Sequence, residues 1–164
     1  LAAELLKRGT LKEGIMGKSI ILHSDNGSAM KGSTMLATMQ GLGVMPSFSR
    51  PRVSNDNAYA ETLFRTAKYC PMWPSKPFEN LEDARQWVDR FVHWYNEEHR
   101  HSGIRFVTPE ERHRGGAEEL LQKRHRVYTA AKARHPHRWT GKTRNWTIEN
   151  EVFLNPERSD KSTQ

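Results

Sequence analysis

Two carboxylates in this sequence stand where they could share a metal ion. Asp25 follows the apolar run Ser19-Ile20-Ile21-Leu22-His23, and Glu61 comes after 35 intervening residues, on a segment of helical character. Carboxylates brought close together repel one another, so such a pair is naturally filled by a hard divalent cation, Mg2+ or Mn2+. These ions take oxygen ligands, keep several waters and accept substrate phosphate as a further ligand. Two of them about 4 Å apart can activate a nucleophilic hydroxyl and stabilise the leaving oxygen of an in-line phosphoryl displacement. That is the chemistry of nucleases and of polynucleotide strand transfer. Asn57, Glu61, Arg65 and Lys68 recur at i, i+4, i+8 and i+11, one face of a helix, where an amide and two cations beside a carboxylate could grip phosphates next to a metal. An exposed face laced by salt bridges would give the same pattern.

Spacing alone does not bring Asp25 and Glu61 together; the elements between them must. Residues 19–23 have the short apolar character of a buried strand, and Ser24-Asp25-Asn26-Gly27 is turn chemistry. Residues 34–42 carry Met35, Leu36, Met39 and Leu42 at helical spacing, closed by Gly41 and Gly43, and 44–48 read as a second strand. A helix over about 55–69 follows, stopped by Pro71, Pro74 and Pro77. The intervening helix and strand thus return the chain to the same sheet edge, with Glu61 one and a half turns into the next helix. A short helix over 1–7 precedes this unit. An amphipathic helix over 81–99 buries Trp87, Val88, Phe91, Trp94 and Tyr95 along with Leu81 and Ala84. Thr108-Pro109-Glu110-Glu111 signals a helix start, 117–134 a basic helix, and 139–156 a short mixed stretch with room for a strand pair. Strand, helix, strand, helix, helix is the order of an α/β domain.

Taken together, several motifs resemble the integrase core of insertion-sequence transposases of the IS3 type. They are His23-Ser24-Asp25-Asn26-Gly27, Ser47-Phe48-Ser49-Arg50, the run from Asn55 through Glu61 to Lys68, Trp94-Tyr95-Asn96 with Arg100-His101, and Thr108-Pro109-Glu110. The resemblance covers roughly residues 1–115. It implies a ribonuclease-H-like α/β fold, a five-stranded mixed sheet flanked by helices, with a basic C-terminal extension. It also implies an Asp, Asp, Glu triad that binds two divalent metals and carries out 3′-end nicking and strand transfer of transposon DNA. By the resemblance, Asp25 is the second Asp and Glu61 the Glu. Lys68 matches a DNA-contacting lysine, Asn57 a polar position near the transposon end, and Arg65 is a weaker carry-over. The family's first Asp lies on an earlier strand, before the helix at 1–7, and the upstream carboxylates here, Glu4 and Glu13, are not on strands. The expectation is therefore a core lacking its N-terminal strands, with little or no strand transfer by these residues alone. Self-association on DNA ends is implied as well.

The bulk composition agrees with a polyanionic partner. The 164 residues carry 26 Lys and Arg against 19 Asp and Glu, and residues 111–144 hold ten of these cations and three of the acids, so that this stretch accounts for the whole net charge of +7. Lys123, Arg124 and Arg126 lead the DNA-contact candidates there, with Arg50 in the loop after the second strand; a solvated basic face is the alternative. The organisation expected is a partial integrase catalytic core over 1–114 and a basic helix and tail over 115–164. His93, His99, His101 and His113 cluster in sequence, but with one cysteine, Cys70, and no C-x-x-C pair, zinc is disfavoured. That cysteine count fits a reducing cytoplasm, which the resemblance implies is bacterial, and no apolar run is long enough to span a bilayer, so no membrane partner is expected. Trp73, Trp139 and Trp146 are read as packing residues. Two other functions compete with the transposase: a DNA-binding remnant without chemistry, and a simple two-metal nuclease.

Overall fold

In the computed structural model, which describes residues 1–153, the chain forms two compact units, Leu1–Lys68 and Tyr69–Val152. In the first, the apolar runs become strands β1 (Ile20–Ser24) and β2 (Val44–Phe48), paired in parallel with Ile20 opposite Val44 and Ser24 opposite Phe48. Parallel strands need a crossover. It is supplied by a short α2 (Ser28–Lys31), which sequence patterning misses, and by α3 (Ser33–Leu42). α3 ends at Gly43, whose φ of 71° lets its N–H turn back onto the carbonyls of Met39 and Gln40, a cap that a side chain would strain. Met35 and Met39 of α3 and Val44 of β2 are buried, covered by Ala2, Ala3 and Leu6 of α1 (Ala2–Lys12). α1 runs past the expected end at residue 7, and buried Thr10 satisfies its hydroxyl on the carbonyls of Leu6 and Lys7.

The resemblance implies five strands; the described residues hold two. After β2 the chain makes a 3-10 turn, Ser54–Asn57, before α4 (Ala58–Tyr69), so the α-helix starts three residues later than expected and Glu61 sits in its first turn.

The second unit is organised by aromatic and capping contacts. α5 (Leu81–His93) is capped by Asn80, which accepts from the Asp83 N–H at 2.9 Å. The helix expected to reach residue 99 instead widens into a π-helical turn, Trp94–Glu98. Trp87 and Phe91 are buried and stacked, and the Trp87 indole donates to the Met72 carbonyl at 2.7 Å; Leu81 and Val88, assigned to the same stripe, remain exposed. α6 (Pro109–His113) has the full capping box between Thr108 and Glu111 that its sequence signals, and α7 (Ala117–Arg134) spans the expected basic helix. A second buried cluster joins Val107, Ala117, Leu121 and Trp146. Beyond α7 a 3-10 turn, Pro136–Arg138, leads to an extended segment that forms no strand up to residue 153. Carbonyls of Gly141, Thr147 and Glu149 accept from the side chains of Lys132, Arg105 and Arg112 where the strand pair was expected; residues 154–156 of that pair lie outside the described residues.

Candidate functional site

Asp25 is the first residue beyond β1, and its environment is set by a short Asx turn: Oδ1 accepts the Gly27 N–H at 2.9 Å. The carboxylate is exposed. A Cβ at Gly27 would lie 2.9 Å from that same oxygen, so glycine is what leaves the carboxylate room.

The end of β1 is stitched to the end of β2 by side chains as well as by the ladder. Asn26 donates its amide to the Ser49 carbonyl at 2.8 Å, the Ser49 N–H reaches the Ser24 carbonyl at 2.9 Å, and the Ser49 hydroxyl reaches that carbonyl too. His23 bonds through Nδ1 to the Ser47 hydroxyl at 2.9 Å and through Nε2 to that of Ser49 at 3.3 Å. The motifs His23-Ser24-Asp25-Asn26 and Ser47-Phe48-Ser49-Arg50 are therefore one physical unit, the C-terminal edge of the parallel pair, where open α/β sheets gather functional groups.

From this edge the loop to α4 is closed by Arg50 and Asp56. The Arg50 guanidinium forms a two-pronged pair with the carboxylate, Nε to Oδ2 at 2.9 Å and Nη2 to Oδ1 at 2.8 Å, and its backbone N–H also donates to Oδ2. Asp56 is buried, and sequence reasoning missed it; the signal was an Arg and an Asp flanking a short Pro-containing loop. Arg50, expected to touch DNA, is thus engaged in fixing the loop that launches α4. Glu61 follows in the first turn of α4, exposed. Arg65 and Lys68 are exposed further along α4, while Asn57 belongs to the 3-10 turn before it.

The basic candidates divide. Lys123 and Arg126 are exposed on α7. Arg124 turns inward: its guanidinium donates to the carbonyls of Arg105 and Phe106 at 3.0 and 2.9 Å and lies over the Trp146 ring. Of the histidines, His99 and His101 meet edge to face beside Tyr95, an aromatic packing arrangement. Among the described residues no three His, Cys, Asp or Glu side chains gather into a metal-binding group. Nor is any helix there long and apolar enough to cross a membrane.

The resemblance read from the motifs is borne out by comparison with known proteins. Residues 42–109 match the integrase core domain. The chain is similar to a protein assigned as the transposase of insertion sequence element IS986/IS6110 in Mycobacterium tuberculosis, 33% identical over 86 residues, covering 52% of this chain and 31% of that one. It is also similar to the transposase for insertion sequence element IS904 of Lactococcus lactis, 29% identical over 93 residues, covering 56% and 36%. The chain spans about a third of the length of these relatives. Arg50, Asn57, Glu61, Arg65 and Lys68 fall inside the matched core, whereas Asp25 and α7 lie outside it.

Proposed function

Since the chain carries integrase-core sequence and is similar to insertion-sequence transposases, we propose that it is the part of a DDE transposase that supplies the second Asp and the Glu, Asp25 and Glu61. The reaction is 3′-end nicking and strand transfer on transposon DNA. The observation that carries this is the stitched sheet edge: Asp25, Asn26, Ser49 and Arg50 are tied into one unit, and Arg50 in turn anchors the loop from which α4 presents Glu61.

Two exposed carboxylates are hard oxygen donors with little desolvation to overcome, which fits Mg2+ or Mn2+, ions that fill most of their coordination shell with water and substrate oxygens. When bound, such ions activate the attacking hydroxyl and stabilise the leaving oxygen. The residues do the rest. The Gly27 N–H fixes Asp25 through Oδ1 and leaves Oδ2 for a cation. Asn57, in the turn before α4, and Arg65 and Lys68 along it offer an amide and two cations to the DNA backbone.

The deciding experiment is a Mn2+ titration of the full chain followed by electron paramagnetic resonance. Asp25→Asn and Glu61→Gln should each weaken binding by about tenfold or more, in the range seen when metal-site residues are altered. Unchanged Mn2+ affinity in both variants, with DNA binding retained, would replace this account by that of a DNA-binding remnant without chemistry. Hydrolytic products without joined strands, from a longer chain, would make it a two-metal nuclease.

A further inference from the structure

We propose that a groove between α7 and residues 142–150 is a separate nucleic-acid site, one that grips the phosphodiester backbone without reading sequence. The inference rests on the DNA-acting role proposed above and adds a surface lying wholly C-terminal to the matched integrase core.

The groove is open, with a volume of about 1080 Å³. One wall is a face of α7, where Gln122, His125, Arg126 and Thr129 recur at helical spacing; the other is the extended segment containing Lys142, Arg144 and Asn145. Although that segment has no regular structure, it is held in place at several points. Arg105 bonds the Glu149 carboxylate at 2.7 Å and the Thr147 carbonyl at 3.2 Å, Arg112 bonds the Glu149 carbonyl at 2.7 Å, and Lys132 bonds the Gly141 carbonyl at 2.7 Å. Trp146, 7% exposed, sinks into the cluster of Val107, Ala117 and Leu121. The walls are therefore set before any ligand arrives, which lowers the ordering cost of binding.

The lining holds five Lys and Arg side chains and one carboxylate, Glu118. Arg112 and Lys132 spend their donors on carbonyls but keep their charge. Arg144 lies 4.6 Å from the Phe106 ring centroid and 5.7 Å from that of Trp146, so its guanidinium is oriented by stacking. Arg126 and Lys142, one on each wall and both exposed, make no hydrogen bond or ion pair among the described residues. Two cations without a partner among the described residues face one groove, flanked by the hydroxyl and amide donors of Thr129, Thr143 and Asn145, groups that match phosphate oxygens.

The test uses the full chain and a fluorescent 20-base-pair duplex of arbitrary sequence, with affinity measured across a salt series. Removing both cations in Arg126→Gln/Lys142→Gln should weaken binding at least tenfold. It should also flatten the dependence of log K on log salt by about 1.8, two phosphate contacts at about 0.9 each. The loss should be the same on a second duplex of unrelated sequence. Lys7→Gln/Lys12→Gln removes equal charge from α1 and should change affinity less than threefold. Because neither groove side chain bonds another described residue, the melting temperature should hold. Equal losses in the two double variants, no loss in the groove variant, or equally tight binding of poly-glutamate would overturn the proposal. Its failure is separable from failure of the catalytic account, which is read from Mn2+ binding at Asp25 and Glu61 without any DNA.

Discussion

Gly27 shows how a single absent atom serves the carboxylate chemistry. Its backbone, φ −60° and ψ 142°, is one that alanine also adopts, so Gly27→Ala introduces no backbone strain; the added methyl meets the Asp25 Oδ1 at 2.9 Å instead. The carboxylate must swing away and lose its Gly27 N–H bond. Mn2+ affinity should fall about tenfold, as for other changes that disturb the orientation of a metal ligand, while circular dichroism stays that of the parent. Full affinity in Gly27→Ala would mean that the Asx turn does not set the position of the ligand. Arg50 teaches a different lesson. A loop arginine after a strand reads as a phosphate contact, yet here its planar fork is matched to Asp56, a use for which lysine has no equivalent geometry.

Among the elements, the turn that carries Arg105 and Phe106 bears the clearest strain. Both residues have positive φ, 63° and 61°, consecutive left-handed positions without glycine, each of which costs about 1–2 kcal/mol. The turn is held by the antiparallel bridge between His101 and Val107, by the Phe106 N–H donating to the His101 carbonyl at 2.7 Å, and by the Arg124 guanidinium across both carbonyls. Arg124 is thus a brace between α7 and the turn. Arg124→Gln should destabilise the unit Tyr69–Val152 by about 2–3 kcal/mol, the worth of hydrogen bonds from a charged donor at a half-buried site. Urea unfolding followed by tryptophan fluorescence reads this, and DNA affinity should fall no more than for loss of one phosphate contact. If stability were unchanged and DNA binding collapsed, Arg124 would belong with the DNA contacts after all.

At the scale of the whole molecule, pH acts on the fold through His101. Burial holds its imidazole below the ordinary value of 6.5, the nearby His99 pushes in the same direction, and a hydrogen bond with the Tyr95 backbone partly opposes them. Its Nε2 is buried without a hydrogen-bond partner among the described residues, so the neutral ring is the form the fold accepts. Above about pH 6.5 the ring is neutral in folded and unfolded chain alike, and its contribution is complete. As the pH falls through 6.5 the unfolded chain takes up the proton that the folded one resists, and stability declines until the folded ring titrates as well. The urea midpoint of this unit should therefore drop between about pH 7 and pH 5, and His101→Gln should flatten that slope; equal slopes would place the titration elsewhere. The net charge of +7 acts on the same scale by drawing the chain to polyanions, but it is not evenly spread, and the groove beside α7 is where the fold gathers it between two walls.

Local chemistry determined what could be read without a structure. The short apolar runs specified two strands, Gly43 stopped α3, Thr108 and Glu111 built a capping box, and the basic helix ran over 117–134, because each follows from interactions within a few residues. The motifs around Asp25 and Glu61 likewise named an integrase core. Contacts between residues distant in sequence decided the rest. Ser49 tying Asn26 to the sheet edge spans 23 residues, Arg124 bracing Arg105 spans 19, and Arg105 catching Glu149 spans 44. Such pairings depend on where the chain returns in space, so sequence patterning did not show that Arg50 and Arg124 also bond within the fold, and it expected paired strands where side chains from three elements instead hold an extended segment against α7. Which cations are engaged is likewise set by folding: the fold bonds Arg50 and Arg124 and leaves Arg126 and Lys142 exposed on the two walls of a groove.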